Sequence, residues 1–214
     1  MPLLQILPPY NQGGGRFFLA KGINIQIQNL DAVLRKFKIT ELKTVGLLRD
    51  ELNAFGLDVE RDAKTLAPTD EGNLKNSISY KIAGLDLEIT VSANYAAYVE
   101  FGTRRYAAEY VSKLPADWQS FAKQYQGKTG GSLDEMLLRI MEWVKRKGLA
   151  GTYSVKTGRR TGAQSARPIQ DAEVAYPIAL AILRNGIRAQ PFLYPAYEKN
   201  RKQFIDNLKR ILNK

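Results

Sequence analysis

Apolar and polar residues alternate strictly over two neighbouring stretches in the first half of the chain. Ile78, Tyr80 and Ile82 alternate with Ser77, Ser79 and Lys81; after Gly84, Leu85, Leu87, Ile89 and Val91 alternate with Asp86, Glu88, Thr90 and Ser92. A period of two gives each strand one apolar face and one wet face, so residues 77–92 predict a β-hairpin turning at Gly84. Ile23, Ile25 and Ile27 repeat the pattern against Asn24, Gln26 and Gln28, which predicts a further strand in the same sheet. Between these strands the period lengthens. Leu30, Val33, Leu34 and Phe37 mark one helix. Leu42, Val45, Leu48, Leu52, Phe55, Val59, Ala63 and Leu66 mark a long one over about 41–66, with Thr40 as a simple cap. Pro68 ends it by forcing Ala67 out of the α region, and Thr69 or Asp70 is placed to cap a short turn reaching Asn73. A lone hairpin is marginal in water, so the long helix is the natural cover for its apolar face. Gly46 and Gly56 inside that helix predict either a bend or the close approach of another backbone.

Later periodicities are helical. Asp117 to Tyr125 follows Pro115 with Trp118, Phe121, Ala122 and Tyr125 on one face. Ser132 caps a helix whose stripe is Leu133, Met136, Leu137, Ile140, Trp143 and Val144, with Asp134 and Glu135 in its first turn and Gly148 as its stop. Gln170 to Asn185 forms another, kinked or restarted at Pro177 and closed by Gly186. The last helix, about 195–212, takes Pro195 as its first residue, buries Tyr197, Phe204, Leu208 and Ile211, and leaves Lys199, Arg201, Lys202, Lys209 and Arg210 in solvent. The sum is an α+β fold: a mostly antiparallel sheet packed by the long helix and the C-terminal helix, with a helical insertion. Residues 1–22, with Pro8-Pro9 and Gly13-Gly14-Gly15, read as an N-terminal arm, laid over its own domain or reaching a neighbouring subunit. Residues 23–214 read as one domain interrupted at about 106–168.

Composition narrows the chemistry. The chain has 214 residues, no cysteine and no histidine, which removes thiolate and imidazole catalysis, disulfides and the usual zinc sites. Lys and Arg outnumber Asp and Glu by 32 to 21, a formal +11, which favours polyanions or acidic protein surfaces. No acidic residue falls between Trp143 and Gln170, where Lys145, Arg146, Lys147, Lys156, Arg159, Arg160 and Arg167 make a candidate basic contact loop. Such a segment either neutralises nucleic-acid phosphates or is a solvated loop that orders on an acidic partner. No apolar run is long enough to span a bilayer, and no leader is evident at the N-terminus.

No catalytic constellation emerges. Gly127-Lys128-Thr129 lacks the earlier glycine and the strand that a phosphate loop requires. Glu60 with Asp62, and Asp134 with Glu135, have the wrong helical spacing to converge on a metal and read as solvated pairs. Tyr95, Tyr98 and Phe101 either fill the core or form part of a subunit contact. Glu100, beside an apolar Phe-Gly turn with no second carboxylate, reads as a structural or intersubunit salt-bridge partner.

The run from Ala67 to Ile78 (APTDEGNLKNSI), then Asn94 to Thr103 (NYAAYVEFGT), then Gln190 to Ala196 (QPFLYPA), resembles in order and separation the tail-completion or neck family of long-tailed bacteriophages, the gene-product-ten-like group that includes relatives of minor tail protein Z. The resemblance implies motif positions at Pro68, Asp70, Gly72, Asn73, Leu74, Tyr95, Tyr98, Glu100, Phe101, Gly102, Thr103, Pro191, Phe192 and Pro195, most of them holding the fold. It further implies a structural virion protein, made in the host cytoplasm, that forms a ring of six or twelve copies at the head-tail junction. Such a ring docks to a head connector or head-closure protein on one side and to a tail terminator or tail tube protein on the other. It needs no cofactor or membrane and meets DNA only non-specifically. The alternative is a basic nucleic-acid-binding module without enzymatic activity.

Overall fold

A computed structural model of the chain describes residues 22–27, 30, 42–125, 133–149 and 168–212. Three strands, β1 (Ile23–Ile27), β2 (Ile78–Ala83) and β3 (Asp86–Val91), form an antiparallel sheet in the order β1-β3-β2. The register stacks apolar side chains in three rows: Ile23, Val91 and Ile78; Ile25, Ile89 and Tyr80; Ile27, Leu87 and Ile82. A slip of one residue would turn all of these out to solvent, so the alternation in the sequence fixes the register. On the other face Glu88 accepts from Asn24 and Gln26 and pairs with Lys81, and the Lys81 hydrogen bond holds its carboxyl below the usual range.

The long helix, α1 (Leu42–Leu66), covers the apolar face with Leu48, Leu52, Phe55, Val59 and Ala63. Gly56 lies where a Cβ would stand 2.6 Å from a Tyr80 ring carbon and 2.9 Å from a Leu87 methyl. The close approach is therefore to side chains of the sheet rather than to a second backbone. The Tyr80 hydroxyl reaches on to Asn53 Oδ1 at 3.0 Å. Leu66, expected in the stripe, is 48% exposed, and Ala67 one residue later is buried in its place. The short turn is α2 (Asn73–Asn76), with Gly72 in the left-handed region at its N-cap position, and Thr69 donates to the Ala67 carbonyl.

After β3 come three further short helices, α3 (Ala96–Phe101), α4 (Arg104–Val111) and α5 (Ala116–Lys123). Trp118, Phe121 and Ala122 of α5 are buried, as are Val111 and Leu114 before it, and all join the core built on the sheet and α1. The expected insertion at 106–168 therefore begins with residues that complete the main core. By compactness the chain forms one unit of Met1–Lys128 with Arg188–Lys214 and another of Thr129–Ile187.

In the first unit the C-terminal helix, α8 (Leu193–Leu212), runs antiparallel along α1. Phe55 stacks on Phe204 with centroids 4.4 Å apart and meets Tyr197 edge-on at 5.8 Å. Two amide-carboxylate bonds, Asn200 to Asp62 (2.8 Å) and Asn207 to Glu51 (2.9 Å), fasten the pair along its length. Asp62 is thus no solvated residue. It is buried, Lys199 also reaches it at 2.9 Å, and the Asn200 bond leads in holding its carboxyl below the ordinary aspartate value. Its expected companion Glu60 pairs instead with Lys64 on the same helix.

In the second unit α6 (Leu133–Lys147) pairs with α7 (Pro168–Asn185) around Val144 and Ala175, with Leu137, Ile140, Met141, Val174 and Ile178 partly buried. Trp143, placed in the stripe by its spacing, is 36% exposed. One continuous helix passes through Pro177, which therefore neither ends nor restarts it. The N-terminal arm, most of the helix expected after Leu30, the linker at 126–131 and the loop at 150–167 lie outside the described residues.

Candidate functional site

The three motif stretches are far apart in the chain, and two of them meet at one carboxylate. Glu100, in the last turn of α3, is fully buried. Its Oε2 accepts the backbone N–H groups of Phe192 and Leu193, each at 2.8 Å, and its Oε1 accepts that of Tyr194 at 3.0 Å. A helix leaves its first four N–H groups without intrahelical partners. For α8 these belong to Phe192, Leu193, Tyr194 and residue 195. Glu100 satisfies three, and Pro195 has no N–H to satisfy. Pro195 is thus the third helical residue rather than the first, and it complements the carboxylate. The bond from Gln190 N–H to the Val99 carbonyl, 2.8 Å, continues the seam.

Glu100 was expected to meet a cation; its partners are backbone amides at the positive end of a helix, which offer the same compensation. Burial pushes its pKa upward, against the pull of the three amide bonds. An aromatic wall surrounds the seam. Trp118 lies edge-on to Tyr194 at 4.9 Å and tilted to Tyr197 at 5.8 Å, and Phe101 contacts Trp118, Phe121 and Tyr125 at 6.1 to 6.5 Å. Burial raises the Tyr110 phenol pKa strongly, with Glu100 adding to it.

Other motif residues divide between fold and surface. Leu74, Phe101 and Phe192 are core residues; Pro68 and Pro191 are half-buried beside it. Asp70 and Asn73 are exposed around Gly72, and Glu71 accepts from Asn73 at 3.4 Å. Tyr98 is half-buried, and Tyr95 is 40% exposed, outside the core that its companion Phe101 fills. Past Phe101 the backbone turns sharply: Gly102 has φ 73° and ψ −170°, a region open essentially to glycine alone, and Thr103 returns to extended geometry. Arg104 then has φ 53°, left-handed geometry that costs a residue with a Cβ roughly 1–2 kcal/mol.

The turn delivers Arg104 and Arg105 to the start of α4, where no acidic residue offsets them. Arg105 Nη2 donates to the Tyr106 hydroxyl at 3.1 Å, and the guanidinium carbons of Arg105 and of Arg188, the latter from the approach to α8, lie 4.8 and 5.3 Å from its ring centroid. The Arg105 bond leads in lowering the Tyr106 phenol pKa. Sequence periodicity gave no sign of this cluster, because residues 82 apart in the chain make it. Of the candidate basic loop, Lys145, Arg146 and Lys147 are exposed in the last turn of α6; Lys156, Arg159, Arg160 and Arg167 lie outside the described residues.

Among the described residues no three acidic, cysteine or histidine side chains gather as a metal site would require, and no helix is long and apolar enough to cross a membrane.

Residues 19–102 match a protein-family model, HK97-gp10-like, described as "Bacteriophage HK97-gp10, putative tail-component". Over these residues, fewer than half of the chain, the protein is similar to the HK97-gp10-like family. The matched stretch runs from just before β1 through the sheet, α1 and α2 to the glycine that ends α3, and so includes the first motif, the second as far as Gly102, and Glu100. The third motif, 190–196, lies beyond it, joined to the family segment by the Glu100 bonds. No curated protein and no solved structure matches the chain significantly.

Proposed function

We propose that the chain is a structural protein of a tailed-phage virion that forms a ring at the head-tail junction, completing the tail or neck and joining the head connector to the tail. The HK97-gp10-like family is one of phage tail components, and that match over residues 19–102 is the observation that carries the reading. The site geometry supports it: the motif residues either build the core, as Leu74, Glu100, Phe101 and Phe192 do, or stand on its surface without converging on a reaction centre. In this reading the protein works by fit and not by catalysis. Its partners are copies of itself, six or twelve to the ring, a head connector or head-closure protein on one side, and a tail terminator or tail tube protein on the other. DNA passes without specific contacts.

A phage mutant lacking the protein tests the proposal. Negative-stain images of its lysate should show filled heads and separate tails, and a normal yield of joined particles would refute it. One observation favours a second reading, a basic nucleic-acid-binding module: Lys199, Lys202 and Arg210 line one open side of α8, although Asp206 lies among them and Lys199 pairs with Asp62. That reading requires duplex binding that weakens steeply with salt, whereas the ring reading requires only weak affinity.

A further inference from the structure

Among the described residues the sheet stops at β2, and the outer edge of that strand is open. Ser92 N–H donates to the Ser77 carbonyl at 3.0 Å, next to the paired Ile78 and Val91. Backbone direction alternates residue by residue along an antiparallel ladder. Ser77, Ser79 and Lys81 therefore turn their N–H and C=O groups towards β3, and Ile78, Tyr80 and Ile82 turn theirs away from it. Such an edge is a template for one more extended segment.

The apolar layer also runs past this edge. Tyr80 and Ile82 are only partly buried against the core. Asn53 and Gly56 of α1 touch Tyr80, and Leu57, one turn on from Asn53 and so on the same flank of the helix, is 52% exposed. A fourth strand beside β2 would bring alternate side chains under Leu57 and against Tyr80. Its other side chains would lie beside Ser79 and Lys81, both of which are exposed.

A segment with the matching pattern lies outside the described residues. Leu3-Leu4-Gln5-Ile6-Leu7, written as a strand, has Leu4 and Ile6 on one face and Gln5 between them on the other, and Pro2 and Pro8-Pro9 bound it as prolines bound a ladder. It precedes Gly22, which lies so close to β3 that a Cβ there would stand 1.8 Å from the Val91 carbonyl oxygen. The root of the segment is thus at the row of Ile23, Val91 and Ile78, the end of the sheet at which β2 begins. Within one copy the segment would have to cross the connections that enter β2 at Ser77 and leave β3 at Ser92, and connections at one end of a sheet do not cross. Residues 8–21 extend to at most about 50 Å, enough to reach a neighbouring copy.

We infer that the open edge of β2 receives residues 3–7 of a second copy of this chain as a fourth strand. Donor segment and acceptor edge are different surfaces, so the contact is heterologous and propagates head to tail into a ring when its rotation closes. The inference deepens the proposed ring and rests on that reading, naming the surface through which copies join. Main-chain bonds at Tyr80 and Ile82 hold the segment, and the alternation of its side chains selects which face meets α1.

Crosslinking tests it in the full-length chain, which has no cysteine of its own. Q5C is co-expressed with K81C or with S79C, and the purified protein is mildly oxidised. Same-face side chains of neighbouring strands come within disulfide reach, so one of the two mixtures should give at least about tenfold more linked dimer on non-reducing gels than any variant oxidised alone. The double variant built from the pair that links should give a ladder of multimers. An internally linked monomer in its place puts the segment on its own copy and overturns the inference. Absence of linked dimer from both mixtures, while the native protein sediments as an assembly, overturns this contact and leaves the ring reading standing. A native protein that sediments only as a monomer overturns both.

Discussion

Glu100 is a single side chain on which the start of a whole helix depends. Replacing one of its oxygens with an amide, as in Glu100→Gln, turns an acceptor into a donor facing buried N–H groups. The expected loss is about 2–3 kcal/mol, because charge-assisted bonds are lost and a buried donor is left without a partner. Urea unfolding should show a lower midpoint with an unchanged slope. Asp62 gives a pH signature with a definite sign. Its folded pKa lies below the unfolded value of 3.8, so its stabilising contribution is complete above that value and is lost as pH falls through the folded pKa. Asp62→Asn should therefore be less stable than the native chain at neutral pH. The gap should close as pH falls from about 5 towards 2, and thermal melts across that range measure it. A gap that widened in acid would contradict the Asn200 and Lys199 bonds as its source.

At the scale of elements, α1 depends on having no side chain at position 56. In an isolated helix Gly→Ala stabilises by roughly 1 kcal/mol, but at Gly56 the new methyl would collide with Tyr80 and Leu87 in the sheet. Gly56→Ala is expected to destabilise by about 1–3 kcal/mol through overpacking. Gly46→Ala, with nothing within 4 Å of its Cβ, should stabilise by up to about 1 kcal/mol. Chemical denaturation of the two variants side by side separates propensity from packing. The α4–α5 segment shows the same dependence on context. Its own period marked Trp118, Phe121 and Ala122 as a face, yet their burial under Phe101, Tyr194 and Tyr197 is what makes the segment part of the core.

For the whole molecule, the two units differ in how much core each possesses. The first buries three sheet rows, two long helices and an aromatic wall, whereas the second centres on Val144 and Ala175. A unit with so few buried apolar side chains among its described residues opens at lower free energy. Hydrogen exchange should therefore release the amides of α6 and α7 well before those of α1 and β3, and equal protection would show that the helical pair is stabilised beyond its own core.

Alternation and helical period in the sequence were enough to specify the three strands, the hairpin turn, the face that α1 presents and the α+β class, because side-chain direction in regular structure follows sequence spacing. The first motif, and the second as far as Gly102, lie in the stretch that is similar to the HK97-gp10-like family. Tertiary structure alone decided the rest. Leu66 and Trp143 satisfy their periods but, among the described residues, sit where no neighbouring element covers them, and Asp62 sits where Asn200 and Lys199 reach it. Glu100 became a helix cap, and Arg105, Tyr106 and Arg188 became one patch, only when the chain brought residue 100 against residues 192–194 and residue 106 against 188. A polar or charged group's role is set by what it meets in space, and for partners some eighty to ninety residues away no local pattern encodes the meeting.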